Sequence, residues 1–133
     1  MDTPKTRILV VDDEPAFTSM LRLNLEKTGQ FAVREENDPT RAFQTAKLFR
    51  PDLILLDVMM PELEGGDVAQ QIQADPDTRC IPIVFLTALV ENDEAQVGGL
   101  VSGGRRFLPK PASVAEVLEC ISQVTGPVPR AEA

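Results

Sequence analysis

The sequence predicts a single α/β domain built on a doubly wound, five-stranded parallel sheet. Along the 133 residues, short apolar runs alternate with amphipathic stretches of helical length. Uninterrupted apolar runs are typical of strands that are buried on both faces of a parallel sheet. Strict alternation of strand and helix favours right-handed crossovers, which place helices on both sides of the sheet. We therefore expect five strands and five helices around one core.

Five apolar runs predict the strands. Residues 8–11, 53–56 and 83–86 are apolar at every position and predict the central strands. Residues 31–33 and 106–108 are shorter or include a charge, and they predict the outer strands. Central strands need apolar residues on both faces, whereas outer strands tolerate polar positions.

The first two helices have recognisable starts. Pro15 suits the first turn of a helix, where its missing N–H is not needed, and apolar residues then share one helical face. Asp38 followed by Pro39 is typical of an N-cap residue and a first-turn proline, which predicts a helix over residues 40–49.

The remaining three helices differ in the strength of their signals. The third carries Val68 and Ile72 on one face. The fourth is expected within residues 91–101, although two glycines there disfavour helix by about 2 kcal/mol relative to two alanines. The fifth begins at a capping box formed by Ser113 and Glu116, and an apolar stripe follows it.

The predicted domain covers residues 1–125. Residues 126–133 contain two prolines and no periodicity, so we expect a disordered tail or the start of a linker. The Met1 start favours a free-standing single-domain protein, whereas the prolines suit an interdomain linker equally well. Both interpretations stay open.

Composition excludes several classes of function. With 13 Lys+Arg against 21 Asp+Glu, the formal charge of −8 predicts no direct nucleic-acid binding. No apolar run approaches the roughly 20 residues that cross a bilayer, so we expect no membrane segment. The absence of histidine removes any Ser-His or Cys-His catalytic pair. Cys80 and Cys120 are widely spaced, which fits reduced thiols in a cytoplasmic protein.

Polar residues follow the predicted strands at their carboxyl ends. Asp12 and Asp13 follow the first strand, Asp57 the third and Thr87 the fourth, and Lys110 lies just past the fifth. In open α/β sheets, ligands bind beyond the carboxyl ends of the strands, near the point where the winding reverses. These five residues should therefore meet at one edge of the sheet.

The expected convergence suggests phosphoryl chemistry. Three neighbouring carboxylates repel one another unless a cation neutralises them, and all-oxygen ligands suit Mg²⁺. A lysine and a threonine hydroxyl facing the metal could hold a phosphoryl group that is transferred to a carboxylate. Each residue also has a structural interpretation: either of the first two aspartates could cap a helix, and the others could be ordinary strand-end or loop residues. Their joint placement favours the functional interpretation.

The chain resembles the response-regulator receiver domains of bacterial two-component signalling over about residues 6–125. Four segments carry the resemblance, namely residues 8–15, 51–61 with Gly65, 86–88 and 107–111. The resemblance implies a flavodoxin-like fold with strand order 2-1-3-4-5. Two departures from the family pattern are Phe107, where tyrosine is commoner, and Arg105 with Arg106, where the family is usually acidic.

For the metal and the phosphoacceptor, the resemblance implies specific residues. Asp57 would accept a phosphoryl group from a partner histidine kinase or histidine phosphotransfer protein. Mg²⁺ would be bound by Asp12, Asp13, Asp57 and the backbone carbonyl of Met59. The chain would then be a signalling phosphoacceptor that catalyses only its own phosphorylation and dephosphorylation.

For the switch, the resemblance implies a second group of residues. Lys110, Thr87 and Ala88 would contact the phosphoryl group, Phe107 would swing inward as the coupled aromatic, and Pro111 would follow a cis peptide bond. The surface of the fourth helix, fifth strand and fifth helix would signal to a downstream protein target.

Two alternatives stay open. One is a pseudo-receiver that serves only as a docking module. The other is a small phosphohydrolase with an aspartyl-phosphate intermediate, although Met59 stands where such an enzyme needs a second acid.

Overall fold

The computed structural model of the chain describes residues 5–58, 60, 65–87, 100–102, 105–109 and 113–125. The strands are β1 (Thr6–Val11), β2 (Phe31–Glu36), β3 (Leu53–Asp57), β4 (Ile83–Thr87), β5 (Leu100–Ser102) and β6 (Arg105–Pro109). The helices are α1 (Pro15–Glu26), α2 (Ala42–Phe49), α3 (Gly65–Ala74) and α4 (Val114–Thr125), and a single turn of 3-10 helix covers Pro39–Arg41.

The strands form one sheet in the order β2-β1-β3-β4-β6-β5. All neighbours from β2 to β6 pair in parallel, whereas β5 pairs antiparallel with β6. The fifth predicted strand is β6, so the five-stranded parallel sheet of order 2-1-3-4-5 is confirmed. The winding reverses between β1 and β3, and this places the carboxyl ends of both strands side by side.

Strand β5 was not predicted. The fourth helix was expected within residues 91–101, and Leu100–Ser102 form a strand, so such a helix would have to end before Leu100. Ser102 pairs with Arg105, and the sequence between them is a glycine pair, which favours a two-residue hairpin connection. Residues 91–99 lie outside the described residues, so a helix there stays a prediction.

The predicted helix starts are largely confirmed. The Asp38 carboxylate accepts a hydrogen bond from the Thr40 backbone N–H at 3.0 Å, but the chain forms a 3-10 turn before α2, which therefore begins two residues later than predicted. At α4, the Ser113 N–H donates to Glu116 at 2.9 Å and the Glu116 N–H donates to the Ser113 hydroxyl at 3.1 Å. This is the predicted capping box.

The core consists of two apolar layers, one on each face of the sheet. Ile8 and Val10 pack with α1 and α4, whereas Leu9 and Val11 pack with α2 and α3. All four side chains are fully buried. Each such residue contributes about 1.5–3 kcal/mol through burial, so the strands that carry the strand-end aspartates are anchored from both sides.

The described helices are short. The longest, α1 and α4, have 12 residues each. None of the helices in the described ranges is long and apolar enough to cross a membrane. The predicted tail of residues 126–133 lies outside these ranges, so the division at residue 125 stays a prediction.

Candidate functional site

The ends of the central parallel strands bring together the residues that sequence analysis singled out. Strand β1 ends at Val11, which pairs with Leu56, so Asp12 follows β1 beside the end of β3. Asp57 is the last residue of β3 and pairs with Leu86. Because Thr87 is the next residue of β4, these polar groups share the carboxyl edge of the sheet.

Three aspartates form a cluster at this edge. Asp12, Asp13 and Asp57 each present a carboxylate oxygen, and these atoms all lie within 4.8 Å of one another. Asp12 is 0% and Asp57 5% exposed, while Asp13 is half-buried. Two unit charges about 5 Å apart repel by about 3 kcal/mol at an effective dielectric constant near 20. The cluster is therefore unfavourable unless a cation or a proton neutralises it.

The donor set fits a hard divalent cation. All three ligand atoms are carboxylate oxygens, which suit Mg²⁺ or Ca²⁺ rather than metals that prefer nitrogen or sulfur. Mg²⁺ is commonly bound by one or two carboxylates and keeps positions for water and phosphate oxygens. The half-exposed Asp13 leaves one side of the cluster open to solvent.

Hydrogen bonds fix both the backbone and the side chain of Asp12. Its N–H donates to the Glu36 carbonyl at 3.1 Å, its Oδ1 accepts from the Glu14 N–H at 2.9 Å, and its carbonyl accepts from the Asn37 side-chain amide at 2.8 Å. The helix-capping interpretation is wrong for Asp12, because the N-cap residue of α1 is Glu14 and α1 has no side-chain cap. Asp12 instead bonds the residue that precedes the helix.

Asp57 is packed against the start of α3. A Cβ atom added at Gly65 would lie 2.4 Å from the Asp57 carbonyl oxygen, which is closer than real Cβ contacts allow. The Gly65 N–H also donates to the Val58 carbonyl at 2.9 Å. The glycine therefore lets α3 begin directly against the end of β3.

Thr87 and Phe107 lie on the neighbouring strands. Thr87 is buried at 6% exposure and pairs with Pro109 of β6. Phe107 is half-buried and stacks on Phe85, with ring centroids 5.4 Å apart and an interplanar angle of 29°. Met59, Ala88, Lys110 and Pro111 lie outside the described residues, so their predicted roles and the cis peptide bond stay predictions.

Two residues at this edge, Asn37 and Thr18, were not predicted from the sequence. The Asn37 amide donates to both the Asp12 carbonyl and the Thr18 hydroxyl. A signal existed, since Asn37 directly follows β2 just as Asp12 follows β1. The strand was predicted only over the apolar residues 31–33, so Asn37 was not identified as a residue that follows a strand. The polar second half of the strand is tolerated because β2 is an edge strand.

Comparison with known proteins supports one family. The family description "Response regulator receiver domain" matches residues 8–122. RpaA of Synechocystis, a DNA-binding dual master transcriptional regulator, is 38% identical over 84% of this chain and 46% of its own length. MtrA of Mycobacterium tuberculosis, a DNA-binding response regulator, is 39% identical over 89% of this chain and 50% of its own length. The chain spans about half the length of the curated relatives it matches.

Solved structures agree with the sequence comparison. The receiver domain of the sensor histidine kinase PA1611 from Pseudomonas aeruginosa has a TM-score of 0.76 and 29% identity, covering 92% of this chain and 99% of that one. That structure has a magnesium ion coordinated in its active-site cleft. The chemotaxis protein CheY4 of Vibrio cholerae has a TM-score of 0.77 and 25% identity, covering 91% of this chain and 99% of that one.

One prediction about partners was wrong. The charge of −8 predicted no direct nucleic-acid binding, yet RpaA and MtrA are DNA-binding regulators. The match covers only about half of each relative. Surface charge acts over roughly 8–10 Å at physiological salt, so the acidic balance of the matched segment carries no information about other parts of such a protein.

Proposed function

The chain belongs to the response regulator receiver domain family, and on that premise we propose that Asp57 is the phosphoacceptor of a Mg²⁺-dependent signalling switch. Receiver domains of response regulators are signalling domains. The single observation that carries the proposal is the cluster of Asp57 with Asp12 and Asp13, in which Asp12 and Asp57 are buried. A cytoplasmic location belongs to the same proposal, because the ATP that supplies a kinase donor is cytoplasmic.

The acidic cluster supports Mg²⁺ as the cofactor. Asp12, Asp13 and Asp57, with the backbone carbonyl of Met59, would hold the ion. When bound, Mg²⁺ supplies positive charge that offsets the carboxylates and the incoming phosphoryl oxygens. Asp12 is already fixed by its bonds to Glu36, Glu14 and Asn37, so its carboxylate needs little rearrangement to bind.

The transfer step needs a donor outside the chain, because the sequence has no histidine. We expect a histidine kinase or a histidine phosphotransfer protein. A carboxylate oxygen of Asp57 forms the new bond to phosphorus. The bond from phosphorus to the donor nitrogen breaks, and its electron pair stays on the imidazole, which takes up a proton.

The switch follows from the charge that the phosphoryl group adds. Thr87 is the last residue of β4, the strand that pairs with β3. In the proposed switch Thr87 would move toward the phosphoryl oxygens, and Ala88 and Lys110 would complete their contacts. Movement of Thr87 would make room for Phe107. Phe107 is half-buried and pairs with Phe85, which lies two residues before Thr87 on β4. A shift from 1:99 to 99:1 needs about 5.5 kcal/mol, which two or three charge-assisted hydrogen bonds can supply. The face containing β6 and α4 would then change for a downstream protein target.

Phosphorylation is tested by intact mass. The purified chain is incubated with a small acyl phosphate and Mg²⁺, and we expect one added phosphoryl group. Asp57→Asn should abolish the addition, whereas Asp52→Asn, a matched change at the opposite edge of the sheet, should leave it intact. Phosphoryl addition to Asp57→Asn would overturn the proposal, and a folded wild-type chain that takes up no phosphoryl group would favour the docking-only alternative.

The same assay separates the phosphohydrolase alternative. A signalling phosphoacceptor should accumulate the phosphorylated form while donor is present. A phosphohydrolase would consume the donor over many turnovers with little accumulated adduct. Inorganic phosphate release and adduct mass, measured together, distinguish these outcomes.

A further inference from the structure

The side chain of Asn37 links the acidic loop to helix α1. Its amide nitrogen lies 2.8 Å from the Asp12 carbonyl oxygen and 3.0 Å from the Thr18 hydroxyl oxygen. An amide nitrogen carries two N–H groups, so both bonds form at once. Asn37 is half-buried and Thr18 is fully buried, which shields these bonds from water.

Asn37 extends the sheet at the point where its backbone pairing stops. The last paired residues of β1 and β2 are Val11 and Glu36, and the Asp12 N–H still donates to the Glu36 carbonyl at 3.1 Å. Beyond this point β2 has ended, and its chain turns into the 3-10 helix that starts at Pro39. The Asn37 side chain donates to the Asp12 carbonyl just past the last paired residues of β1 and β2.

Holding the Asp12 carbonyl also orients Asp13. The peptide group that joins the two residues is planar, so the direction of the Asp12 carbonyl also fixes the direction of the Asp13 N–H. A second bond, from the Glu14 N–H to Asp12 Oδ1 at 2.9 Å, fixes the Asp12 side chain. The two contacts hold Asp12 in place. They do so against a repulsion of about 3 kcal/mol between each pair of ionised carboxylates in the cluster.

Asn37 is itself held by a larger network. The Thr18 hydroxyl donates to the Glu35 carboxylate at 2.7 Å, which is shorter than its 3.2 Å distance to the Pro15 carbonyl. The hydroxyl oxygen keeps a lone pair that accepts from Asn37. The same Glu35 oxygen accepts from Ser19 at 3.1 Å, and the other carboxylate oxygen pairs with Arg22 at 3.5 Å. The amide of Asn37 is therefore attached to α1 through a fixed hydroxyl.

We propose that Asn37 is a positioning residue for the cation site, which it holds in a binding-competent arrangement through the Asp12–Asp13 peptide. This inference rests on the proposed function, because it concerns the affinity of the acidic cluster for Mg²⁺. Asn37 acts through the backbone carbonyl of Asp12 and is not itself among the residues that would bind the cation. Residues that orient metal ligands typically change metal affinity by about 10- to 100-fold when they are mutated.

The test is the dissociation constant of the unphosphorylated chain for Mg²⁺, measured by isothermal titration calorimetry. Asn37→Ala should weaken binding by about tenfold. The matched control is Asn24→Ala, which removes an amide that contacts Met20 on α1, and it should leave the affinity unchanged. Unfolding in EDTA is measured in parallel, and all titrations are run where each variant is folded.

Thr18→Val provides a second route to the same answer. It removes the acceptor that holds Asn37 but keeps the shape of the side chain, so we expect a smaller loss of Mg²⁺ affinity. The double variant should bind no more weakly than Asn37→Ala alone, because both changes act through one contact. If Asn37→Ala does not fold, the Thr18→Val affinity decides the question.

The outcomes separate the inference from the proposed function. If the wild-type chain binds Mg²⁺ and neither Asn37→Ala nor Thr18→Val changes the affinity, the positioning role is overturned while the cation site stands. If the wild-type chain does not bind Mg²⁺, the proposed function fails, and the positioning role fails with it. A lower unfolding free energy with unchanged Mg²⁺ affinity would assign Asn37 a purely structural role.

Discussion

The two ends of β1 lie at opposite edges of the sheet. Opposite charges and dipoles are paired at one edge, and like charges converge at the other. At the amino edge, Arg7 Nε donates to the Phe49 carbonyl at 3.0 Å and contacts the Arg50 carbonyl at 3.3 Å. Its guanidinium also lies 4.4 Å from the Phe49 ring centre. Its backbone N–H donates to the Asp52 carboxylate at 2.8 Å. Positive charge there meets carbonyl oxygens at the end of α2, where the helix dipole is negative.

At the carboxyl edge, like charges converge. Asp12, Asp13 and Asp57 present oxygens within 4.8 Å of one another, and two of the three are buried. The amino edge is a structural clamp whose charges complement each other. The carboxyl edge is held by hydrogen bonds to the backbone and by the buried strands on which it is built. The carboxyl edge therefore lowers stability unless a cation or a proton offsets its charges, whereas the amino edge does not.

The largest expected effect comes from the backbone contact beneath the carboxyl edge. Gly65→Ala should lower the free energy of unfolding by about 3 kcal/mol, because the new Cβ would overlap the Asp57 carbonyl and force α3 away. Gly66→Ala is the matched control, since a Cβ at that residue meets nothing within 4 Å. Denaturant unfolding of both variants checks this. Equal stabilities of the two variants would contradict the close approach of α3 to β3.

The next prediction is a reversal of sign between the two edges. Without Mg²⁺, Asp13→Ala should raise the free energy of unfolding by about 2 kcal/mol, because it relieves repulsion in the cluster. Asp52→Ala should lower it by about 1 kcal/mol, because the Arg7 N–H loses its acceptor. Thermal or denaturant unfolding in EDTA measures both. A lower free energy of unfolding for Asp13→Ala than for the wild-type chain would contradict the proposed difference between the two edges.

A smaller effect is expected from the clamp at the amino edge. Arg7→Met keeps much of the apolar stem but removes the bonds to the Phe49 and Arg50 carbonyls, and it should lower the free energy of unfolding by about 1 kcal/mol. Mg²⁺ affinity should not change, since the two edges are separated by the full length of β1. Calorimetric titration of the variant checks this, and a weaker Mg²⁺ affinity would show that the edges are coupled.

The smallest effect is a pH dependence that involves neither edge. The Val33 N–H donates to Glu26 at 3.0 Å and, with a further contribution from Arg22, lowers the pKa of Glu26 although partial burial opposes the shift. Because the folded pKa lies below the unfolded one, this contribution is present above the unfolded pKa and is lost as the pH falls through the folded pKa. The side chain is 35% exposed, so solvent screening keeps the effect small.

Unfolding measured between neutral and acidic pH checks this sign. The stability difference between the wild-type chain and Glu26→Gln should shrink as the pH falls through the acidic range. A difference that grows toward acidic pH would show that the pKa of Glu26 is raised instead.

The sequence was sufficient for features that depend on local pattern. Apolar runs such as residues 53–56 are buried on both faces, as a parallel sheet requires, and the strand-end rule brought Asp12, Asp13 and Asp57 to one edge. The capping box at Ser113 was predictable because both partners lie within one turn. These signals need no knowledge of distant contacts.

Features that depend on distant contacts were not predictable. Strand β5 has three residues and is identified by its pairing with β6, which the local sequence alone does not reveal. Asn37 acquires its role only when β2 lies beside β1, and Gly65 only when α3 meets the end of β3. The prediction of no nucleic-acid binding was wrong for a related reason. The net charge of these 133 residues gives no information about the other half of a relative such as RpaA or MtrA.

The most direct test of the central claim is the location of the phosphoryl group. The chain is phosphorylated with a small acyl phosphate, the adduct is trapped chemically, and peptide mass spectrometry locates it. We predict modification of the peptide that contains Asp57 in the presence of Mg²⁺ and none in EDTA. Modification at another residue, or modification of Asp57 that is independent of Mg²⁺, would contradict the assignment of the carboxyl edge as a cation-dependent phosphoacceptor site.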